Sequence, residues 1–159
     1  MLSVKLITVG SLKESYLKDA ISEYSKRLSA FCNFEIVELK EYKLPDQPSE
    51  SDIKKALAEE AERITKAIPQ KSYKIALCVE GKQFSSEELA EKIEEISQTN
   101  GAVSLVIGSS HGIDESLKAM CDLKLSVSKL TFPHQLMRVM MLEIIYRAMN
   151  IIKGTKYHK

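Results

Sequence analysis

The chain has 159 residues, of which 44% are hydrophobic, and its formal net charge at pH 7 is only +1. This length suits one domain with a substantial core and is short for two independent domains. A net charge so close to zero excludes a uniformly basic surface, so the distribution of charge along the chain is more informative than its sum.

The basic residues are concentrated at the C-terminal end of the chain. Positions 124 to 159 hold seven Lys and Arg against one acid, Glu143, whereas the preceding residues hold sixteen bases and twenty-one acids, so the two parts carry +6 and −5. A basic segment of this kind is typical of a site that meets phosphate or a polyanion. The alternative is a basic tail that only balances an acidic body.

The three cysteines, Cys32, Cys78 and Cys121, are odd in number, far apart and without a CxxC pair. This pattern predicts reduced thiols in a core rather than disulfides or zinc ligands. The opening MLSVKLITVG is too short an apolar run for a signal peptide, and no run is long enough to span a bilayer. We therefore expect a cytoplasmic protein with no metal and no membrane partner.

Short β-branched apolar runs alternate with amphipathic segments along the chain. Strands are predicted at residues 4 to 9, 34 to 39, 73 to 79 and 102 to 107, and more weakly at 123 to 127. Helices are predicted at residues 15 to 29, 52 to 68, 86 to 98 and 133 to 152. Ser85 and Glu88 form a possible capping box before the third helix. The alternation predicts one α/β domain over residues 1 to 159, with a mainly parallel sheet flanked by helices.

Ligands in such sheets bind beyond the carboxyl ends of the strands. The residues at those positions are Gly10, then 80 to 82, 108 to 112 and 128 to 132. Three of these four segments contain glycine, which lets backbone approach a ligand closely. Any one of the glycines is equally compatible with a simple turn.

The predicted last helix is apolar around most of its circumference. Its polar residues Glu143, Arg147 and Asn150 fall within an arc of about 60°. A helix of this composition must be covered on more than one side, so we predict a homodimer built on residues 133 to 152.

Arg138 lies on this helix but outside its polar stripe. A buried guanidinium without an anion is costly, so Arg138 is expected to find a carboxylate, a run of carbonyls or a bound ligand. The other interpretation is an arginine that snorkels to the rim of the dimer interface.

Residues 108 to 112, GSSHG, match the nucleophile-elbow pattern G-x-S-x-G, with a predicted strand before it and a helix expected after it. Asp122 and then His134 or His158 follow in the order of a catalytic triad. A small serine hydrolase with Ser110 as nucleophile is therefore one alternative function, although so loose a pattern recurs by chance. A non-catalytic RNA-binding module is another, and it explains the basic segment but not the glycines at the strand ends.

Several stretches together resemble one known family. They are VSLVIGSSHG, LSVSKLTFPHQLMRVMMLEIIYRA and the terminal KGTKYHK, supported by KLITVGSLKESYLKDAISEYSKRLS and VEGKQFSSEELA. They resemble the ribosomal RNA large subunit methyltransferase H family, the pseudouridine N3-methyltransferases of the SPOUT class. The resemblance covers nearly the whole chain, and TFPHQLMR followed by YHK is its most specific part.

The resemblance implies a SPOUT-type fold with a C-terminal deep trefoil knot, whose cofactor-binding part spans about residues 73 to 159. It implies methylation from S-adenosylmethionine at N3 of a pseudouridine in large-subunit rRNA, position 1915 in the usual 23S numbering, on the assembled ribosome. Family members often carry glycine where this chain has Ser109, so we expect a slightly reshaped loop that still binds the cofactor. The family's cofactor contacts map onto Leu77, Gly108, Val127, Ser128, Lys129, Leu130, Thr131 and Phe132.

The N3 position of pseudouridine is a weakly acidic imide that must lose its proton before or during attack. His158 is a candidate base and Glu143 a weaker one, while Tyr157 and Arg138 are candidates near the same RNA-facing site. Positioning roles for these side chains are equally compatible with the resemblance. The candidate RNA-binding residues are Lys156, Lys159 and Arg147. In the predicted homodimer the C-terminal tail of one subunit completes the site of the other.

Overall fold

A computed structural model describes all 159 residues. Five strands alternate with five helices. The strands are β1 (Ser3–Val9), β2 (Asn33–Leu39), β3 (Tyr73–Lys82), β4 (Ala102–Ile107) and β5 (Leu123–Leu125). The helices are α1 (Ser15–Leu28), α2 (Glu50–Ala67), α3 (Ser86–Thr99), α4 (Glu115–Met120) and α5 (His134–Ile152). The predicted elements are confirmed, and α4 is the helix expected after GSSHG.

All five strands are parallel, in the order β2-β1-β4-β3-β5. β3 continues beyond its predicted end because it bends against β5: Leu77 and Lys82 both pair with Leu125, with an irregular register between them. Gly81 permits this close approach, since a Cβ there would lie 2.7 Å from the carbonyl carbon of Lys124. The carboxyl ends of β3, β4 and β5 therefore meet at one edge of the sheet.

Helices cover both faces of the sheet. On one face α1, α3 and α5 enclose the larger core, in which Leu6, Ile93, Leu105 and Ile145 are almost fully buried. On the other face the smaller core is made by α2 and α4 with the sheet. The result is the single α/β domain that the sequence predicts. The deep knot stays a prediction.

Helices α2 and α3 both begin with a capping box. In α3 the Ser85 side chain accepts from the Glu88 N–H at 3.1 Å, and the Glu88 carboxylate accepts from the Ser85 N–H at 2.7 Å, as predicted. Ser49 and Asp52 do the same for α2, which explains why that helix starts earlier than its apolar pattern indicates. None of the helices is long and apolar enough to cross a membrane.

Helix α5 packs against the sheet and between α1 and α3. The sequence argument that the side away from the sheet needs a second subunit does not hold for its flanks, because the chain's own α1 and α3 cover them. An outward strip nevertheless remains: Leu136 is 38% exposed, and Val139 and Met140 are half-buried. Asn150 does not join the polar stripe but is buried, where it donates to the Tyr146 carbonyl at 2.8 Å. The homodimer stays a prediction.

Candidate cofactor site and C-terminal cluster

A cavity of about 590 Å³ opens at the carboxyl ends of β3, β4 and β5. Lys129 is exposed and does not line it. Every other predicted cofactor residue does: Leu77, Gly108, Val127, Ser128, Leu130, Thr131 and Phe132. The structure thus brings together three segments that are far apart in sequence. Half of the twenty lining residues are hydrophobic, which suits an apolar ligand surface such as a purine base.

The loop after β4 closes tightly on itself. The Gly112 N–H donates to the Ser109 carbonyl at 2.9 Å, and a Cβ on Gly108 would lie 2.2 Å from the carbonyl oxygen of Gly112. Gly112 itself has a φ of +90°. Both glycines are therefore required by the turn, and the turn forms one wall of the cavity. These glycines therefore both make a turn and let the backbone approach the cavity, so the two interpretations of the sequence are compatible.

Ser109 is held from below by a buried carboxylate. Its hydroxyl donates to Glu60 Oε1 at 2.9 Å, and Glu60 Oε2 accepts from the Tyr42 N–H at 3.1 Å. Only 4% of Glu60 is exposed, although it lies on α2. The serine that departs from the resembled family is thus tied to a partner that pattern analysis missed. The only sequence signal is an acid within the apolar face of that helix.

One ion pair lines the cavity. Lys118 Nζ lies 2.6 Å from Glu80 Oε1 and 3.2 Å from Glu115 Oε1. The hydrogen bond from Lys118 lowers the pKa of Glu80 below its usual 4.5. His134 also lines the cavity; burial, and then the nearby Arg138, lower its pKa below 6.5, so this ring is mostly neutral at pH 7. The position of Glu80 at a strand end is visible in the sequence, whereas no sequence pattern singles out Lys118.

Arg138 is buried, with 2% of its side chain exposed. One terminal nitrogen donates to the carbonyls of Val9 and Gly10 at 2.9 Å each, and the other donates to Glu38 Oε2 at 3.2 Å. The expectation of a carboxylate and carbonyls is confirmed, and the expectation of an arginine at the rim is wrong. Within this chain Arg138 joins α5 to the ends of β1 and β2 and offers no exposed donor to RNA.

The other candidate catalytic residues lie together near the C-terminal half of α5. Arg147 donates to Glu143 Oε1 at 2.7 and 3.0 Å, and the Tyr157 hydroxyl donates to Glu143 Oε2 at 2.8 Å. His158 lies 3.3 Å from Arg147 through Nδ1 and 2.9 Å from Glu87 on α3 through Nε2. We call Glu143, Arg147, Tyr157 and His158 the C-terminal cluster.

The side chains around Glu143 keep its carboxyl group ionised. Burial alone would raise the pKa of this carboxyl group, but hydrogen bonds from Tyr157, Tyr24 and Arg147 outweigh burial and lower the pKa below 4.5. Glu143 is therefore an anion at neutral pH. Among the RNA-binding candidates, Arg147 belongs to this cluster, while Lys156 and Lys159 are exposed beside it.

One chain does not bring the C-terminal cluster to its own cavity. Helix α5 contributes His134 and Met137 to the cavity, whereas Glu143 and Arg147 lie further along the same helix. Ten residues separate Met137 from Arg147, which is about 15 Å at the rise of an α-helix. The tail folds back onto α5 and stays at the far end, fixed by the Thr155 hydroxyl donating to Asn150 at 2.6 Å.

No catalytic triad is assembled around Ser110. No hydrogen bond joins Ser110 to a histidine, and the Asp122 carboxylate accepts from the Lys74 N–H at 2.7 Å instead of orienting one. The chain also has no group of three or more His, Cys, Asp or Glu side chains that could hold a metal ion.

The protein is a parallel α/β domain with an apolar cavity at the carboxyl ends of its strands, which is the place where proteins of this class bind their ligands. The family model described as "Predicted SPOUT methyltransferase" matches residues 2–158. The chain belongs to this family of methyltransferases.

Relatives of similar length support this membership. One, named ribosomal RNA large subunit methyltransferase H, from Streptococcus pyogenes serotype M5 (strain Manfredo), is 48% identical over 159 residues, covering 99% of this chain and 100% of the relative. A protein of the same name from Leuconostoc mesenteroides is 47% identical over 160 residues, with the same coverage. The hydrolase and the non-catalytic module are therefore set aside.

The fold also matches a solved structure. The crystal structure of a "Probable Methyltransferase" from Bordetella pertussis Tohama I superposes with a TM-score of 0.59 at 15% identity, covering 93% of this chain and 96% of the other. At this identity the match describes the fold alone.

Proposed function

We propose that this protein transfers a methyl group from S-adenosylmethionine to N3 of a pseudouridine in large-subunit rRNA, and that it acts in the cytoplasm on the assembled ribosome. The names of the full-length relatives at 45 to 48% identity support rRNA as the substrate. The specific atom and base come from the family resemblance. The basic C-terminal segment supplies the charge expected for a polyanionic substrate.

One observation carries the proposal. Leu77, Gly108 and the stretch from 127 to 132, except Lys129, come from three separate segments of the chain, yet they line a single cavity. Its volume of about 590 Å³ lies in the range of small-molecule cofactor sites. Its apolar wall suits adenine, and its loops offer backbone N–H and C=O groups that can recognise the base edge. The residues present therefore fit the cofactor, and the fit requires no metal.

When bound, S-adenosylmethionine supplies a methyl group on a sulfonium, which a nucleophile displaces in line. The protein must align the RNA nitrogen with that methyl group and exclude water from the path. The C-terminal cluster suits the other requirement, loss of the imide proton. Arg147 can only donate, so His158 accepts from it through Nδ1 and donates to Glu87 through Nε2. Nδ1 is thus the acceptor for the imide proton once the 3.3 Å contact with Arg147 opens, while ionised Glu143 fixes the Tyr157 hydroxyl.

We further propose that the working site is shared between two subunits. Along α5, Glu143 and Arg147 of the cluster lie about 9 and 15 Å beyond Met137, the last residue of the helix that lines the cavity. The outward strip of Leu136, Val139 and Met140 lies beside the cavity on the same helix. Two α5 helices that pair antiparallel through this strip would set the cluster of each chain against the cavity of the other. The proposed trefoil knot would fix the loops around the cofactor.

A tritiated-methyl transfer assay tests the proposal. It compares intact ribosomes, free large subunits and naked large-subunit rRNA, each with the purified protein and labelled S-adenosylmethionine. We expect label in the large-subunit rRNA of intact ribosomes and much less in naked rRNA, with the modified nucleoside identified after digestion. Label in protein, or none in any RNA, would overturn the proposal.

A further inference from the structure

We propose that the ion pair between Glu80 and Lys118 is the subsite for the amino-acid end of the cofactor, where Glu80 takes the α-ammonium and Lys118 the α-carboxylate. This inference rests on the proposed function, because it presupposes that S-adenosylmethionine occupies the cavity. Neither the family resemblance nor the similar proteins assign a role to this pair of side chains.

The charges that line the cavity restrict the possibilities. Glu80 is its only acid and Lys118 its only lysine or arginine; the remaining lining residues are apolar, hydroxyl-bearing or glycine, apart from Cys78 and the mostly neutral His134. A bound methionyl group carries one ammonium and one carboxylate in the same region. Leaving either charge in an apolar cavity without a partner is costly, so a zwitterion favours the one place that offers both signs.

The position of the pair agrees with this role. Glu80 comes from the end of β3 and Lys118 from α4, on the face of the sheet opposite to α5. The apolar residues of the 127 to 132 stretch and Met137 line other parts of the cavity. The methionyl end and the base therefore have separate surroundings: one charged, the other apolar.

The two side chains are also accessible to a ligand in different degrees. The Glu80 side chain is 55% exposed, so its second oxygen is open to a new donor, while Lys118 is 12% exposed and is held in place by two carboxylates. An ammonium group of Lys118 has three donors, so it can keep its protein contacts and still bind a carboxylate. The pair is thus a preorganised receptor rather than a closed salt bridge.

Two ligands separate this subsite from the rest of the cavity. S-adenosylhomocysteine carries the amino-acid zwitterion without the sulfonium charge, and 5′-methylthioadenosine carries the same nucleoside without the amino acid. Calorimetric titration of both into wild type, Glu80→Gln and Lys118→Met reads the contribution of the zwitterion directly. Loss of one charge-assisted contact is expected to weaken S-adenosylhomocysteine about tenfold or more. The affinity for methylthioadenosine is expected to stay within about twofold of wild type.

Glu115→Gln is the matched control, because it removes the other carboxylate on Lys118 but does not line the cavity. It is expected to leave methylthioadenosine binding unchanged and to weaken S-adenosylhomocysteine much less than Glu80→Gln does, because Lys118 keeps its 2.6 Å contact with Glu80. Thermal unfolding of each variant without ligand shows that it is folded. Equal weakening of both ligands, or unchanged binding of S-adenosylhomocysteine in Glu80→Gln, would overturn the inference. Wild-type protein that binds neither ligand would overturn the cofactor assignment itself, and this inference with it.

Discussion

The two ends of α5 are surrounded by different kinds of residues. At its start, the cavity is made mostly of apolar side chains and glycine-containing loops from one chain, with a single ion pair on its wall. At its end, the C-terminal cluster is made of charged and hydroxyl side chains fixed by hydrogen bonds. Cofactor binding needs shape and permissive backbone, whereas proton removal and RNA contact need charge. On the proposed function, one chain would therefore hold the parts of the site without assembling them.

The largest effect is expected from removing the tail. Deletion of residues 156 to 159 takes away Tyr157 and His158, so rRNA methylation should fall by at least about a hundredfold, the scale of a lost proton-transfer group. Affinity for S-adenosylhomocysteine should stay near wild type, because no deleted residue lines the cavity. If the deletion also lowers the affinity for S-adenosylhomocysteine, the two ends of α5 do not have separate roles. If methylation is retained, the tail takes no part in the reaction.

Gly108→Ala tests the cavity end alone. The new Cβ would lie 2.2 Å from the Gly112 carbonyl oxygen, so the loop must open. Overpacking of this kind costs about 1–3 kcal/mol, and cofactor affinity is expected to fall about tenfold or more. Gly101→Ala is the control: its φ of +70° also strains alanine, but the space around it is open and it lies outside the cavity. Equal affinities in the two variants would show that the loop shape does not matter.

Arg138→Ala tests whether this arginine belongs to either end. The substitution leaves the Val9 and Gly10 carbonyls without their donor, and each unsatisfied buried acceptor costs about 1–3 kcal/mol. Glu38 is 46% exposed, so its carboxylate stays hydrated. We therefore expect a lower midpoint in urea unfolding of the free protein. Arg27→Ala, which removes an exposed pair with Glu23, should change stability by less than about 1 kcal/mol. If Arg138→Ala keeps the wild-type free energy of unfolding but loses methylation, Arg138 contacts RNA instead of stabilising the fold.

The smallest effect is expected from the link beneath the cofactor loop. Ser109→Ala and Glu60→Gln each disturb the 2.9 Å bond between them, and each should reduce stability by about 1–2 kcal/mol. Because the two side chains share one bond, the double variant should lose less than the sum of the single losses. Urea unfolding of all four proteins measures this coupling. Strictly additive losses would show that Glu60 does not support the loop through Ser109.

Local features of the fold were predictable from the sequence, because they depend on neighbouring residues. The strand periodicity, the Ser85 and Glu88 capping box and the apolar circumference of α5 are examples. The strand-end positions marked 108 to 112 and 128 to 132 as places for a ligand, but the individual cofactor residues became predictable only through family resemblance. The loop from 127 to 132 has no chemistry of its own that marks a ligand site.

Long-range contacts were beyond pattern analysis. Ser109 and Glu60 are 49 positions apart, Glu80 and Lys118 are 38 apart, and His158 reaches Glu87 across 71. Each pair forms only because the sheet order brings distant loops to one edge or because the tail folds back over α3. The spacing of apolar residues indicates which face of a helix or strand a residue occupies, but it does not identify the residue that packs against it. This is also why the sequence predicts that Arg138 meets a carboxylate or carbonyls but does not identify them as Glu38, Val9 and Gly10.

A subunit-complementation assay tests most directly the proposal that the site is assembled from two chains. Chains lacking residues 156 to 159 keep an intact cavity, and Gly108→Ala chains keep an intact C-terminal cluster. After the two are unfolded together and refolded, half of the dimers are expected to be hybrids with one complete site. At a cofactor concentration well below the Kd of the Gly108→Ala chains, methylation should then recover to about a quarter of the wild-type rate, although each variant alone has little activity under these conditions. Hybrid dimers confirmed by native mass spectrometry that show no methylation would contradict the shared site.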